Sequence, residues 1–171
     1  MSRSDTQADV SAVSYRQGGS QDAASIENMV RLLAADLGST EKKISSVSDF
    51  AAAFSASPPL LYSVIAETAD NPVGLCLWFP FFSTWRGQCG VFVQDLYVAP
   101  QMRGRGLGPD LLRETLSAAE NLSPRFLRLS VNHTNGNARR FYARLGFSEI
   151  NDESALDLSG KAFAALCRTD P

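Results

Sequence analysis

The chain has 171 residues, 44% of them hydrophobic, and a formal net charge of −2. This size and apolar fraction suit one domain with a full core, and the charge balance gives no support for a nucleic-acid-binding surface. Three widely spaced cysteines and a single histidine argue against a disulfide framework, a zinc site or a His-rich metal centre.

No targeting segment is recognisable in the sequence. Residues 1–13 are polar and lack an apolar stretch of signal-peptide length. The longest apolar run, residues 73–82, contains Gly74 and Pro80 and is too short to span a bilayer. We therefore expect a cytoplasmic protein with no membrane or nucleic-acid partner, a flexible tail over residues 1–10 and one domain over residues 11–171.

The N-terminal third predicts a strand followed by two helices. Residues 10–17 alternate loosely and predict the first strand, which Gly18 and Gly19 end. A helix then begins at Ser20 or Gln21 and stops near Gly38. Residues 39–46 form a polar connection, and Ser48 is expected to cap a short helix over residues 49–55. The apolar face of the first helix comprises Ile26, Met29, Val30, Leu33 and Leu37.

Three runs rich in strand-forming residues follow, at 60–68, 73–82 and 91–98. Short turns join them, so we expect antiparallel neighbours. The loop over residues 83–90 carries Trp85.

The second half predicts a helix, a strand and a short helix. Leu111, Leu112, Thr115, Leu116 and Ala119 mark one apolar helix face.

A break at residues 123–124 precedes a strand at 126–131, which implies a parallel crossover. A helix at 137–145, a closing hairpin of residues 147–150 with 155–158, and a helical turn at 160–167 complete the chain. The expected class is α/β (α+β), with a mixed, mostly antiparallel sheet flanked by helices.

Residues 91–116 join a strand, a glycine-rich turn and the start of a helix. Unpaired N–H groups and the helix dipole favour an anion at such a helix start, and arginines add charge. The stretch lacks Gly-Lys-Ser/Thr and does not complete GxGxxG, which argues against a P-loop or a dinucleotide fold. A glycine-rich turn without a ligand is the alternative. The turn consists of Arg103, Gly104, Arg105, Gly106, Leu107 and Gly108.

Two motifs together resemble the GNAT superfamily of N-acetyltransferases. Arg103-x-x-Gly106-x-Gly108 after a strand matches its first cofactor motif. The second segment is matched in register by Asn135, Ala138, Phe141, Tyr142, Gly146 and Phe147. The resemblance covers residues 12–168 and implies the GNAT fold.

The resemblance implies acetyl-CoA as cosubstrate and no metal. It places the pyrophosphate on the amides of the turn 103–108, and Asn135 and Arg144 on the cofactor. The pantetheine arm would bond the backbone of Leu96, Tyr97 and Val98. Pro109 departs from this scheme, since proline has no N–H to offer the pyrophosphate.

Acetyl transfer to an amine needs a proton donor for the leaving thiolate and an acceptor for the amine proton. The resemblance puts Tyr142 in the donor role, since a phenol is protonated at neutral pH; packing beside Phe141 is its alternative. His133 is a weaker candidate and suits a surface loop. Asp95 is the best carboxylate for the base or for holding a cationic amine, with a structural hydrogen-bonding role weighed equally.

The branch that the sequence resembles is that of the spermidine/spermine (diamine) N-acetyltransferases and their thialysine-acetylating relatives. It implies a homodimer and a small cationic primary amine, diamine-like or amino-acid-like, bound near Gln94 and Trp85. Gln94 stands where that branch commonly has a glutamate, so polyamine specificity does not follow. The alternatives are a non-catalytic acyl-CoA sensor and a protein or peptide N-acetyltransferase.

Overall fold

The computed structural model describes residues 12–39, 41, 44–69, 71–150 and 154–167. The chain divides into two compact units, one ending at Asn135 and the other beginning at Gly136. In the described part, the first unit carries five β-strands and three α-helices, and the second carries two α-helices. None of the described helices is long and apolar enough to cross a bilayer.

A five-stranded sheet forms the centre of the first unit, with its strands in chain order. Neighbours from β1 to β4 run antiparallel, whereas β4 and β5 are parallel. This confirms the predicted mixed, mostly antiparallel sheet. The strands are β1 (Ser14–Gly18), β2 (Tyr62–Thr68), β3 (Asn71–Ser83), β4 (Gln88–Val98) and β5 (Leu127–Leu129).

The first unit has three helices, α1 (Ala23–Asp36), α2 (Val47–Ser55) and α3 (Leu107–Ala118), of which α2 packs on α1. Helix α1 packs on β3 and β4, and α3 packs on β1 to β4. Helices α1 and α3 bury most of their predicted stripes, since Ile26 and Leu111 are fully buried, whereas Leu37, predicted on the apolar face of α1, is 49% exposed. The predicted first strand begins only at Ser14, and residues 10 and 11 lie outside the described residues.

The cap of α2 differs from the prediction. Ser46, not Ser48, is the N-cap: its Oγ accepts a 3.3 Å hydrogen bond from the N–H of Asp49. The Asp49 carboxylate in turn accepts from the N–H of Ser46 at 2.8 Å. This reciprocal pair satisfies two backbone donors, so the helix begins at Val47, two residues earlier than expected.

A β-bulge interrupts the pairing of β3 with β4. Leu77 pairs with Asp95 but Trp78 pairs with Val93, so Gln94 is the extra residue. Backbone groups of successive residues point alternately to the two sides of a strand. The extra residue shifts this alternation by one position for the residues that follow it. The bulge therefore separates β4 into a half that pairs with β5 and a half that does not.

The second unit contains α4 (Gly136–Arg144) and α5 (Gly160–Leu166). Helix α4 ends in a left-handed residue at Gly146, with φ +89°, as the sequence predicts. The predicted closing hairpin is wrong, because neither 147–150 nor 155–158 is a strand; the turn predicted at 151–153 lies outside the described residues. Residues 155–158 are exposed, so they lack the half-buried face that their alternation suggested.

Candidate functional site

The glycine-rich turn ends in the first turn of α3. Gly104 and Gly106 have φ of +76° and +87°, a region that L-residues with a side chain rarely enter. The N–H of Asp110 donates to the carbonyl of Gly106 at 3.1 Å, which begins the helical bonding. Leu107 and Gly108 precede that bond, so their N–H groups have no intrahelical acceptor. The turn thus presents amides at the positive end of a helix dipole.

The last residues of β4 form an edge on the side away from β3. In the described part of the chain, β5 pairs only with Val91, Phe92 and Val93. Beyond the bulge, the N–H of Ala99 donates to Val73 of β3 at 2.9 Å.

Backbone groups alternate in direction along a strand, so those of Leu96 and Val98 point to the open edge. Tyr97 directs its backbone towards β3, and its side chain is buried.

Arg103 is held by groups of the fold. Its Nε donates to the carbonyl of Val98 at 2.9 Å, and its guanidinium pairs with Asp36 in the last turn of α1. Both side chains are substantially exposed. Arg105, by contrast, is exposed and forms no ion pair with any described residue. Arg105 is therefore the arginine of the turn whose charge is available to an anion.

Asp36 was not identified from the sequence. Its position near the end of an amphipathic helix gives no signal of a partner 67 residues away. Only the packing of α1 beside β4 brings the two side chains together.

A carboxylate also lies in the first turn of α3, beside the amides. Asp110 accepts a 3.2 Å hydrogen bond from the hydroxyl of Tyr15 and pairs with Arg113. Burial, then the charge of Asp110, raises the pKa of Tyr15 to about 12, so this hydroxyl remains a donor. Arg113 offsets the negative charge that Asp110 would otherwise present to an anion.

A cleft of about 510 Å³ lies beside the bulge of β4. Its volume is in the range of small-molecule pockets. Burial raises the pKa of the Asp95 carboxyl, because apolar surroundings disfavour its charged form. The residues lining the cleft are Val30, Leu33, Ala34, Leu37, Ser39, Ile44, Ser45, Phe50, Leu61, Leu77, Gln94 and Asp95.

Trp85 is not among the residues of the cleft. It lies in the turn between β3 and β4, and its side chain is 98% exposed. Six strand positions separate Gln88, the start of β4, from Gln94, roughly 20 Å at the usual rise of a strand. The structure therefore does not bring Trp85 to Gln94, and its substrate role stays a prediction.

The loop after β5 carries Asn135 at the end of the first unit. The side-chain oxygen of Asn132 accepts from the N–H and the hydroxyl of Thr134, at 3.0 and 2.8 Å. The N–H of Asn135 donates to the carbonyl of Asn132 at 2.8 Å. These local bonds fix the backbone that leads into Asn135.

Tyr142 and Arg144 belong to the second unit. The Tyr142 ring contacts Phe141 and Phe147 edge-on, with centroids 4.9 and 5.3 Å apart. Its carbonyl accepts from the N–H groups of Leu145 and Phe147, at 3.0 and 3.1 Å, so the end of α4 is fixed around it. Arg144 is exposed in the last turn of that helix.

Within the first unit, the fold gathers most of the predicted residues around the C-terminal half of β4. Gln94 and Asp95 line the cleft, Leu96 and Val98 form the edge, and residues 103–108 supply the amides. A partly buried carboxylate, unpaired backbone groups and the start of a helix thus lie within a short stretch of chain.

The sequence matches the acetyltransferase (GNAT) family over residues 26–147. It is 30% identical over 146 residues to thialysine N-epsilon-acetyltransferase of Mus musculus, covering 80% of this chain and 85% of the relative. The Bos taurus relative of that name is 28% identical over 149 residues, covering 82% and 86%.

A structure of ribosomal-protein-alanine N-acetyltransferase from Brucella melitensis biovar Abortus 2308 superposes with a TM-score of 0.69. It is 19% identical, and the match covers 87% of this chain and 100% of that one, so the likeness concerns the fold. With the family match extending from α1 past α4, the chain belongs to the acetyltransferase (GNAT) family and is an acyltransferase enzyme close to the thialysine-acetylating relatives.

Proposed function

We propose that the protein transfers the acetyl group of acetyl-CoA directly to the primary amine of a small cationic substrate, diamine-like or amino-acid-like. The observation that carries the proposal is the bulge at Gln94, which frees the backbone edge of Leu96 and Val98 next to the amides of the turn. An extended pantetheine arm suits such an edge, and a pyrophosphate suits the helix start. The proposal requires no metal.

The cofactor contacts divide by chemistry. Leu96 offers its backbone N–H and carbonyl, and Val98 its N–H, to the amides of the pantetheine arm, since the Val98 carbonyl already accepts from Arg103. The Tyr97 backbone is directed towards β3, so Tyr97 has only a supporting role. The amides of Gly104 to Gly108 would hold the pyrophosphate, aided by Arg105, with Arg103 fixing the strand beside it. Asn135 and Arg144 are assigned to the cofactor by their positions in the second GNAT motif.

The proposed chemistry uses one acid and one base. Asp95 takes a proton from the substrate ammonium, because only a neutral amine attacks the thioester carbon. As the tetrahedral intermediate collapses, the carbon–sulfur bond breaks and the thiolate takes a proton from the Tyr142 hydroxyl. The attacking nitrogen then gives up its second proton, which restores the Tyr142 phenol and leaves the neutral amide. Burial raises the pKa of Asp95 above that of an ordinary aspartate, and this makes its carboxylate a stronger base.

Tyr142→Phe tests the acid. Loss of a positioned proton donor should lower kcat about a hundredfold while leaving KM for acetyl-CoA nearly unchanged. Thiol release from acetyl-CoA with a panel of primary amines measures both constants. Tyr62→Phe is the matched control: Tyr62 of β2 stacks on Trp78 of β3, and this variant should retain wild-type turnover.

Undiminished kcat in Tyr142→Phe would remove the assigned role from the tyrosine. Tight CoA binding with no turnover on any amine or peptide would instead indicate an acyl-CoA sensor and overturn the proposed activity.

At the level of the whole chain, we propose a single acetyltransferase domain over residues 11–171 that acts in the cytoplasm as a homodimer. The exposed apolar side chains of the second unit support the dimer: Leu156 is 96% and Leu166 is 75% exposed. Apolar surface of this kind favours association.

A further inference from the structure

We infer that the acceptor amine of this enzyme is carried on an aliphatic arm and is the only positive charge within the cleft. A short diamine, whose second ammonium would also lie in the cleft, is then a poor substrate. The inference rests on the proposed function and narrows its substrate class.

The charges of the described lining residues match one cation. Asp95 is the only ionisable side chain among the lining residues that the structure describes. Its neighbour Gln94 is neutral and cannot compensate a second positive charge. The nearby carboxylate of Asp36 is already paired with Arg103. A second ammonium would find no carboxylate among these residues to pair with, so any hydration that it loses there is uncompensated.

The remaining walls of the cleft favour hydrocarbon. Helix α1 contributes Val30, Leu33 and Leu37, α2 contributes Phe50, and Leu77 lines the cleft from the sheet. Methylene groups gain free energy by leaving water for such a surface. An unbranched alkyl chain attached to the amine therefore fits this lining better than a string of charges.

The length of a substrate arm can be tested directly. In the series ethylamine, propylamine and butylamine, each added methylene that contacts the walls should raise kcat/KM about fourfold, the value expected for burial of one CH₂. Rates are compared at equal concentration of the free base, so that differences in amine basicity do not contribute. A flat series would overturn the inference.

The decisive comparison is butylamine against 1,4-diaminobutane, which share a four-carbon arm and differ by one terminal amine. We expect kcat/KM for butylamine to exceed that for the diamine at least tenfold. Equal or better use of the diamine would overturn the inference and leave the acetyltransferase activity intact. If none of the amines is acetylated, both the proposed function and this inference are overturned.

A variant with an added carboxylate tests whether charge determines the substrate preference. Leu33→Asp adds a second carboxylate to the cleft wall, so the preference for butylamine over the diamine should fall about tenfold or reverse. Leu32→Asp is the matched control on the same helix: Leu32 is 43% exposed and does not line the cleft. It should leave the preference unchanged.

Leu37→Asp provides a second position on the cleft wall, at a side chain that is 49% exposed and tolerates charge more readily. Circular dichroism of each variant checks that it is folded. An unchanged preference in folded Leu33→Asp or Leu37→Asp would contradict the charge argument.

Discussion

Asp95 has two opposed effects, one on stability and one on the proposed reaction. Burial raises the pKa of its carboxyl in the folded state. Below the unfolded-state pKa the carboxyl is neutral in both states and costs nothing. As the pH rises through the window between the unfolded and folded pKa values, the folded protein loses stability, and the loss is complete above the folded-state pKa.

Asp95→Asn should therefore stabilise the fold and impair turnover. At neutral pH we expect a free energy of unfolding higher by on the order of 1 kcal/mol, roughly 3 °C in Tm. This gain should disappear on acidification below the unfolded-state pKa of Asp95. The kcat should fall about a hundredfold for loss of the base. Thermal melts at several pH values and steady-state rates measure these effects.

Asp157→Asn is the matched control, because Asp157 is exposed in the second unit and should change neither quantity. A variant Asp95→Asn that is less stable than the wild type at neutral pH would mean that the carboxylate makes a favourable structural bond. That outcome would support the structural interpretation of Asp95 and weaken its role as a base.

Among the structural elements, the start of α3 contains two glycines with different backbone conformations. Gly106 has φ +87°, whereas Gly108 lies inside the helix. Alanine at Gly106 meets no close neighbour, since the nearest atom, Asp110 Oδ2, is 3.9 Å away. Any cost is therefore backbone strain.

Gly106→Ala should lower the free energy of unfolding by about 1–2 kcal/mol and weaken CoA binding, because the amides shift. Gly108→Ala should keep or raise stability, since alanine favours a helix over glycine by about 1 kcal/mol. Urea unfolding and calorimetry with CoA measure both. Equal stability losses in the two variants would contradict the role of the left-handed turn.

Pro109 removes one donor from the first turn of the same helix. Pro109→Ala restores an N–H beside the proposed pyrophosphate site, so CoA should bind about fivefold more tightly, roughly 1 kcal/mol for one added hydrogen bond. Stability should fall by about 0.4–1 kcal/mol, because the unfolded chain gains freedom. Calorimetry of CoA binding gives the affinity.

Pro124→Ala, a replacement in the loop after α3, is the control and should leave the CoA affinity unchanged. Weaker or equal binding in Pro109→Ala would mean that the amide of this position does not reach the phosphates.

For the whole molecule, the oligomeric state is the property most open to test. If the second unit pairs two copies, Leu156→Lys should convert the dimer to a monomer, because a buried charge opposes association. Light scattering after gel filtration measures the mass. Leu60→Lys is the control: Leu60 is 70% exposed but lies in the first unit. A wild-type protein that is already monomeric would contradict the dimer.

The sequence predicts the meander, the helix stripes and the glycine turn well, because each depends on local spacing. Ile26 and Leu111 are in the core as their periodicity indicates. The hairpin at residues 147–150 and 155–158 was wrong, since alternation alone does not show that one face will be buried.

Features that depend on distant contacts were not accessible from the sequence. The bulge at Gln94 exists only in the register of β4 against β3, and the ion pair of Arg103 with Asp36 requires α1 to pack beside β4. The cleft combines residues of two helices and two strands. For this reason its apolar lining could not be predicted, and the role of Asp95 stays a prediction.

The open edge of β4 has a further consequence. Strand edges with free backbone groups are templates on which other chains can pair and aggregate. Here the exposed carbonyl of Val98 is covered by the guanidinium of Arg103, and charge on an edge discourages strand addition. We therefore expect Arg103 to discourage a second chain from pairing along this edge, an effect on aggregation that is separate from catalysis.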